Sequence, residues 1–139
     1  MFYLDSSAAV SSITAEPATA TVLDWLAGRT DVLISDWTLA EAVAGLSLKR
    51  RRQVLSAEEH VQTLEALRNQ VGESFRVLPV TRQDFRKAAN FCERPETGLR
   101  AADALHLAIA VSAGATLVTL DKVQARGGEM VGVRALLLP

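Results

Sequence analysis

The sequence has few of the features that stabilise secreted proteins or anchor membrane proteins. Its single cysteine, Cys92, excludes an intramolecular disulfide and is typical of a reducing compartment. The amino terminus lacks the basic and apolar regions of a signal peptide, and no apolar run is long enough to span a bilayer. We therefore expect a cytoplasmic protein that does not associate with a membrane.

Neither sign of charge dominates, since 15 Lys and Arg residues oppose 16 Asp and Glu residues for a net charge of −1. The overall field of the protein therefore does not indicate nucleic-acid binding. Positive charge is concentrated in Leu48–Gln53, LKRRRQ. This cluster is typical of a helix carboxyl terminus, where cations complement the helix dipole, and an RNA contact is compatible with it.

Length and composition predict one domain spanning residues 1–139. The chain is 49% hydrophobic and 22% charged, an ordinary globular balance, and it is long enough to bury a core without disulfides or metals. Aromatic residues make up only 5% of it and alanine is abundant, which favours a helix-rich, closely packed core. We find no internal repeat, low-complexity segment or linker.

Short apolar segments alternate with helical segments along the chain. The predicted strands are Phe2–Leu4, Asp31–Ser35, Phe75–Val80, Ala115–Leu120 and Gly132–Leu138. The main predicted helices are Ser6–Ile13, Ala18–Gly28, Thr38–Arg50, Ser56–Val71, Arg82–Cys92 and Leu99–Ala113. No tight hairpin signal appears, so the pattern predicts a parallel sheet covered by helices on both faces, a three-layer α/β/α fold.

Four carboxylates lie in apolar surroundings, whereas most of the other acidic residues have polar neighbours. Asp5 and Asp121 directly follow predicted strands, and Glu41 and Asp103 lie near the start of apolar helices. In an open parallel sheet these positions meet at the carboxyl edge. Two like charges about 4 Å apart repel by roughly 4 kcal/mol at an effective dielectric near 20. Four acids together therefore predict a bound divalent cation, and Mg²⁺ and Mn²⁺ prefer oxygen ligands.

Each of these acids also has a structural interpretation. Asp5 and Asp121 could cap helices, and Asp103 is favourably placed in the dipole of its own helix. The coincidence of four acids at one edge is what favours the metal site. His106 lies three residues after Asp103 and could support the site from the same helix face, but we interpret it as a packed core histidine. The sequence offers no convincing catalytic triad.

Four segments carry a resemblance to a known family: YLDSSAAV, SDWTLAEAVAGL, LRAADALHLAIA and LVTLDKVQA. Together they resemble the PIN domain, and specifically the VapC-type toxins of type II toxin–antitoxin systems. The resemblance covers nearly the whole chain, and RAADALHLAIA followed by TLVTLD is its most specific part. The Gly-rich tail ARGGEMVGVRALLLP is a looser match.

The resemblance implies a five-stranded parallel sheet and a Mg²⁺- or Mn²⁺-dependent endoribonuclease that hydrolyses RNA phosphodiester bonds with a metal-activated water. It also implies a homodimer that a small cognate antitoxin neutralises. The metal-binding and catalytic acids of the family correspond to Asp5, Glu41, Asp103 and Asp121. Ser7 and Thr119 match small hydroxyl residues near the family's site.

Two basic residues lie beside the acids in the sequence. Arg100 precedes Asp103 by three positions, and Lys122 follows Asp121. Both are placed to contact RNA phosphates, which determine affinity rather than sequence choice. Pairing with the neighbouring acids is an equal alternative for each of them.

Two other functions remain open from the sequence. One is a PIN-type nuclease that processes RNA and is not a toxin. The other is a non-catalytic protein that acts through a partner surface, in which case the carboxylates are structural. Loss of Asp5 or Asp103 separates catalysis from the binding function, because only a catalytic acid can be removed to give an inactive protein that still folds.

Overall fold

A computed structural model describes residues 1–139 of the protein. Five short parallel strands form its sheet. The strands are β1 (Phe2–Leu4), β2 (Val32–Ser35), β3 (Arg76–Leu78), β4 (Thr116–Thr119) and β5 (Ala135–Leu137). Their order across the sheet is β3-β2-β1-β4-β5, and every adjacent pair is parallel. The five-stranded parallel sheet expected from the sequence is confirmed.

Seven helices connect the strands. They are α1 (Ser6–Ser11), α2 (Thr19–Leu26), α3 (Asp36–Arg51), α4 (Ala57–Glu73), α5 (Arg82–Cys92), α6 (Ala101–Ser112) and α7 (Lys122–Met130), with a 3-10 turn at Pro95–Thr97. Capping boxes begin α3, α4 and α5 at Ser35, Ser56 and Thr81. None of the helices combines the length and the apolar character needed to cross a bilayer.

The side chains of the central strand point alternately into two hydrophobic cores. Tyr3 packs with Leu107 of α6 and Leu117 of β4, whereas Leu4 packs with Val22 of α2 and the β2 strand. Because successive residues of a strand face opposite sides, each face of the sheet is covered by its own helices. The three-layer α/β/α arrangement is therefore confirmed.

Helix α6 lies in the interior, as its uniformly apolar sequence predicts, and residues 104–110 are all buried. Two glycines of α7 allow that helix to pack closely against α6 and the residues just before it. A Cβ atom on Gly128 would lie 2.7 Å from Cδ2 of Leu107, and one on Gly127 would lie 2.7 Å from Cδ2 of Leu99. The Gly-rich tail therefore forms a helix packed on α6.

Most element boundaries differ by one to three residues from those expected from the sequence. Strand β3 ends at Leu78 rather than Val80, and Pro79, which has no N–H to donate, follows directly. Strand β5 begins at Ala135 rather than Gly132, because Gly132 has a φ of +78° and forms a turn. Helix α1 ends at Ser11 instead of Ile13. None of these differences moves the edge of the sheet where the acids lie.

The helix pair α5 and α6 is joined by a buried carboxylate, Asp84, which is 2% exposed. Its Oδ2 accepts hydrogen bonds from the backbone N–H and the hydroxyl of Thr81 at 2.8 and 2.7 Å, and its Oδ1 accepts one from the Ser112 hydroxyl at 2.6 Å. Burial acts to raise the pKa of Asp84, but the hydrogen bonds from Ser112 and Thr81 outweigh burial and lower the pKa below its usual value.

This carboxylate predicts a pH-dependent contribution to stability. A lowered pKa in the folded state stabilises the protein above the usual pKa of 3.8, and that stabilisation is lost as the pH falls through the folded-state pKa. Asp84→Asn is therefore expected to lower the free energy of unfolding by about 1.5–3 kcal/mol at pH 7, the range for hydrogen bonds to a charged group. Urea unfolding of both proteins between pH 3 and pH 7 should show the difference shrinking at the acid end. Asp24→Asn, at an exposed position of α2, is the matched control, and a constant difference across the pH range would contradict the prediction.

Candidate active site

One edge of the sheet receives the carboxyl ends of all five strands and the amino ends of α1, α3 and α7. Strand β1 leads into α1, β2 into α3, and β4 into α7. Helix α6 starts at the same edge and runs back to the start of β4, because it is antiparallel to the strands that it covers. This topology places all four acids singled out in the sequence on that edge.

Asp5 is the most enclosed of the four acids and is 3% exposed. It caps α1, since its Oδ1 accepts the Ala8 N–H at 2.9 Å. The Ser7 hydroxyl lies 2.8 Å from both carboxylate oxygens, and the Thr119 hydroxyl donates to Oδ2 at 2.7 Å. The structural interpretation of Asp5 as a helix cap is therefore correct, and it leaves open a second role for the same carboxylate.

The environment of Asp5 disfavours its charge in spite of these donors. Burial raises the pKa of Asp5 above its usual value, and the positive charge of His106 and the hydrogen bonds from Ala8, Thr119 and Ser7 only partly offset that rise. A buried carboxylate in this state is stabilised by any cation that can approach it.

The hydroxyls of Ser7 and Thr119 join the turn after β1 to the turn after β4. The Oγ of Ser7 accepts the Leu120 N–H at 3.1 Å, and the Oγ1 of Thr119 accepts the Asp121 N–H at 2.9 Å. Each hydroxyl also donates to Asp5. The two small hydroxyl residues implied by the family resemblance therefore hold Asp5 against the chain that leads to Asp121.

Asp121 is exposed and caps α7. Its Oδ1 accepts the N–H groups of Val123 and Gln124 at 2.7 and 3.1 Å, and its Oδ2 has no protein partner. The helix-cap interpretation is correct here too. One oxygen of this carboxylate remains available to a ligand.

Asp103 lies in the first turn of α6 and is partly exposed. Its Oδ2 accepts the Arg100 N–H at 3.2 Å, and its Oδ1 has no protein partner. Burial raises the pKa of Asp103; the Arg100 N–H opposes this rise, and the negative charge of Asp121 reinforces it. The side-chain amide of Gln124 donates to the backbone oxygen of Asp103 at 3.3 Å, which ties the start of α7 to the start of α6.

Glu41 lies in the second turn of α3, and its Oε2 is 2.6 Å from Nε2 of His106. Burial acts to raise the pKa of Glu41, but the hydrogen bond and the positive charge of His106, with a hydrogen bond from Ser6, outweigh it and lower the pKa below its usual value. Glu41 is thus held in its charged form by a residue of another helix.

His106 is the site residue that the sequence interpretation underestimated. It is packed in the core and 2% exposed, as expected, but it also bonds directly to Glu41. Its Nδ1 lies 2.9 Å from the Tyr3 hydroxyl, which in turn lies 2.7 Å from the Ser35 hydroxyl and 3.0 Å from the Thr38 hydroxyl. Burial raises the pKa of Tyr3, so the phenol stays protonated. The only signal in the sequence was the three-residue spacing between His106 and Asp103.

The charges at this edge act on one another, although the acids do not form one tight cluster. The charge of His106 acts on Asp5, Glu41 and Asp103, and the charge of Asp121 acts on Asp103. No group of three or more His, Cys, Asp or Glu side chains lies close enough to surround one ion. The donor set nevertheless fits Mg²⁺ or Mn²⁺, because Mg²⁺ is usually bound by one or two carboxylates and keeps several waters.

The basic residues near the acids are not paired with them. Arg100 and Lys122 are both exposed, and neither forms a salt bridge. The charge of Arg100 nevertheless lowers the pKa of Asp103, so its guanidinium acts on that acid without a direct ion pair. The basic cluster of the sequence lies at the last turn of α3, at the far end of that helix from Glu41, and Lys49 within it pairs with Glu16.

An apolar groove lies beside Asp103. It runs between α5 and α6, and all of its lining residues are hydrophobic. They are Trp37, Phe85, Ala88, Ala89, Cys92, Ala101, Ala102 and Leu105. Phe85 is 55% exposed, so the groove presents a large apolar side chain to solvent.

Solved structures with the same fold include proteins of toxin–antitoxin systems. FitAcB from Neisseria gonorrhoeae aligns with a TM-score of 0.76 and 23% identity over 98% of this chain and 96% of that chain. VapC20 from Mycobacterium tuberculosis, described as a sarcin-ricin loop cleaving toxin, aligns with a TM-score of 0.72 and 19% identity over 100% of both chains. DNA-bound VapBC from Salmonella typhimurium gives a TM-score of 0.72 and 21% identity over 97% of this chain and 96% of that chain.

At these identities the structural likeness shows a shared fold. A comparison with curated protein sequences finds no match. The family model of the PIN domain, however, matches residues 2–129, which is most of the chain and includes all four acids. The chain therefore belongs to the PIN domain family.

Proposed function

We propose that this protein is the toxin of a type II toxin–antitoxin system and acts as a Mg²⁺- or Mn²⁺-dependent endoribonuclease. The observation that carries the proposal is the placement of Asp5, Glu41, Asp103 and Asp121 at one edge of the sheet. Membership of the PIN family and the fold shared with VapC-type toxins support it.

Asp5 and Asp103 are the residues that would hold the cation, and Glu41 and Asp121 would complete or orient the site. A divalent cation held by these residues would supply Lewis-acid chemistry, which would lower the pKa of a water and stabilise the charge that develops on a phosphate. The free Oδ1 of Asp103 and the free Oδ2 of Asp121 support this assignment, because neither oxygen is used by the protein itself. The hydroxyls of Ser7 and Thr119 would keep Asp5 in a fixed orientation.

The reaction proposed for these residues is hydrolysis of an RNA phosphodiester by water. The water oxygen forms a new bond to phosphorus, the bond from phosphorus to the 3′-oxygen breaks, and the leaving oxygen takes up a proton. The products are a 5′-phosphate and a 3′-hydroxyl. Arg100 and Lys122 would contact the phosphates on either side, since both are exposed and unpaired.

The proposed partner is a small cognate antitoxin, and we propose that the toxin itself is a homodimer. Several solved structures of this fold are complexes named VapBC or FitAB. The apolar groove beside Asp103 supports a protein partner at this edge, because an exposed apolar surface beside a charged site is typical of an interaction surface.

The proposal is tested by incubating the purified, antitoxin-free protein with labelled total RNA and Mg²⁺ or Mn²⁺. We expect discrete fragments with 5′-phosphate ends, and no fragments in EDTA. Asp103→Asn should reduce the rate by on the order of 10²–10⁴-fold, since loss of a metal ligand removes several kcal/mol of transition-state stabilisation. Asp24→Asn, far from the site in sequence and exposed on α2, should cleave like the wild type.

Four other results would contradict parts of the proposal. Cleavage that persists in EDTA and leaves a 2′,3′-cyclic phosphate would exclude the metal-dependent mechanism. Cleavage without growth arrest on expression, or growth arrest that a neighbouring small protein does not relieve, would favour an RNA-processing nuclease. A folded protein that cleaves no RNA would favour the non-catalytic partner-binding function.

A further inference from the structure

The contact between Glu41 and His106 joins a candidate site residue to the hydrophobic core. His106 belongs to α6 and Glu41 to α3, and 65 residues separate them in the sequence. The histidine is 2% exposed, whereas the side chain of Glu41 is 26% exposed. One end of this pair is therefore fixed inside the protein, and the other end faces the edge where the acids lie.

Hydrogen-bond chemistry fixes the orientation of the histidine ring. An ionised carboxylate only accepts hydrogen bonds, so Nε2 of His106 carries a hydrogen and donates it to Glu41. The Tyr3 hydroxyl meets Nδ1 at 2.9 Å on the other side of the ring. Tyr3 is itself held between the hydroxyls of Ser35 and Thr38. Both ring nitrogens thus have a partner, and rotation of the ring would break both contacts.

We propose that His106 is a positioning residue that holds the carboxylate of Glu41 for a divalent cation through its Nε2–H donor. This inference rests on the proposed function, because it gives Glu41 a role toward the cation. A carboxylate on a long, partly exposed side chain samples many rotamers, and a fixed donor removes that freedom. Residues that orient metal-binding carboxylates in this way commonly change metal affinity or activity about 10–100-fold when they are replaced.

A purely structural role for His106 predicts that different replacements of this residue will have the larger effects. If the histidine only packs and forms hydrogen bonds inside the core, its contact with Tyr3 is the one whose loss should have an effect. If it positions Glu41, the contact that matters is the one through Nε2. Two replacements separate the contacts, because the amide nitrogen of glutamine reaches about as far as Nε2, whereas the amide of asparagine reaches only as far as Nδ1.

The experiment measures Mn²⁺ binding without RNA, by the electron paramagnetic resonance signal of free Mn²⁺, together with thermal unfolding in EDTA. His106→Asn is expected to weaken Mn²⁺ binding about 10–100-fold. His106→Gln should remain within a few-fold of the wild type. The inference is overturned if both variants bind Mn²⁺ like the wild type, or if affinity falls in both in proportion to the loss of thermal stability.

Two further variants separate the role of Glu41 toward the cation from the role of His106 toward Glu41. They are Glu41→Gln and the double variant Glu41→Gln/His106→Asn. If Glu41→Gln does not change Mn²⁺ binding, the role proposed for Glu41 fails and the positioning role fails with it. If Glu41→Gln weakens binding and His106→Asn does not, only the inference about His106 is wrong. Positioning predicts that the double variant binds no more weakly than the weaker single variant, because the two residues act as one unit.

Discussion

Asp5→Asn is expected to reduce RNA cleavage by on the order of 10²–10⁴-fold, because loss of a metal-binding carboxylate removes several kcal/mol of transition-state stabilisation. The same variant should keep a free energy of unfolding in EDTA within about 1 kcal/mol of the wild-type value, or above it. The second expectation follows from burial, which raises the pKa of Asp5 and so disfavours its charged form in the fold. Asparagine retains one oxygen for the Ala8 N–H, and the hydroxyls of Ser7 and Thr119 can accept from its amide.

Two measurements on the same preparation check this pair of expectations. Urea unfolding in EDTA gives the stability, and cleavage of labelled RNA with Mg²⁺ gives the activity. Addition of Mg²⁺ should raise the melting temperature of the wild type, since a ligand that binds only the folded state stabilises it, and should leave Asp5→Asn unchanged. A variant that unfolds at much lower urea than the wild type would show that the charge of Asp5 serves the fold rather than the reaction.

The features that could be predicted from the sequence are those that depend on neighbouring residues or on general topology. The N-caps at Ser35, Ser56 and Thr81 were predictable because each side chain bonds to backbone three residues away. The alternation of strands with helices predicted a parallel sheet. A parallel sheet in turn brings residues that follow different strands to one edge, which is how Asp5 and Asp121 come to lie on the same edge of the protein.

Contacts between remote residues could not be predicted in the same way. The bond between His106 and Glu41 spans 65 residues, and the bond between Tyr3 and His106 spans 103. Spacing places a residue on a helix face, but the partner opposite that face depends on how the helices pack.

Helix α7 contains two adjacent glycines, a local pattern that disfavours a helix, and it was not among the main helices predicted from the sequence. Glycine lowers helix propensity, and two adjacent glycines favour an irregular tail. Here Gly127 and Gly128 face Leu99 and Leu107, where a Cβ atom would collide with a leucine side chain. The close approach to α6 stabilises the helix despite its poor propensity. It also fixes the amino end of α7, which carries Asp121 and Gln124.

Thr119→Val is expected to produce the largest loss of stability among single changes at the site. Thr119 is fully buried; its hydroxyl donates to Asp5 at 2.7 Å and accepts the Asp121 N–H at 2.9 Å. Valine has the same shape and makes neither bond. Removing the hydroxyl that donates to the Asp5 carboxylate should lower the free energy of unfolding by about 1.5–3 kcal/mol, the range for a hydrogen bond to a charged group. Cleavage should fall about 10–100-fold as well, because Asp5 and Asp121 lose the group that links them.

Two further replacements test whether the effect of Thr119→Val comes from the loss of the hydroxyl group. Thr116→Val lies on the same strand, where the threonine side chain makes no hydrogen bond, and should change stability by no more than about 0.5 kcal/mol. Thr119→Ser keeps the hydroxyl and removes only a methyl group, so it should lose about 0.8 kcal/mol of stability and retain most of the activity. Urea unfolding and RNA cleavage with Mg²⁺ measure both effects. If Thr119→Val cleaves RNA as fast as the wild type under conditions where both are fully folded, the link between Asp5 and Asp121 does not contribute to the reaction.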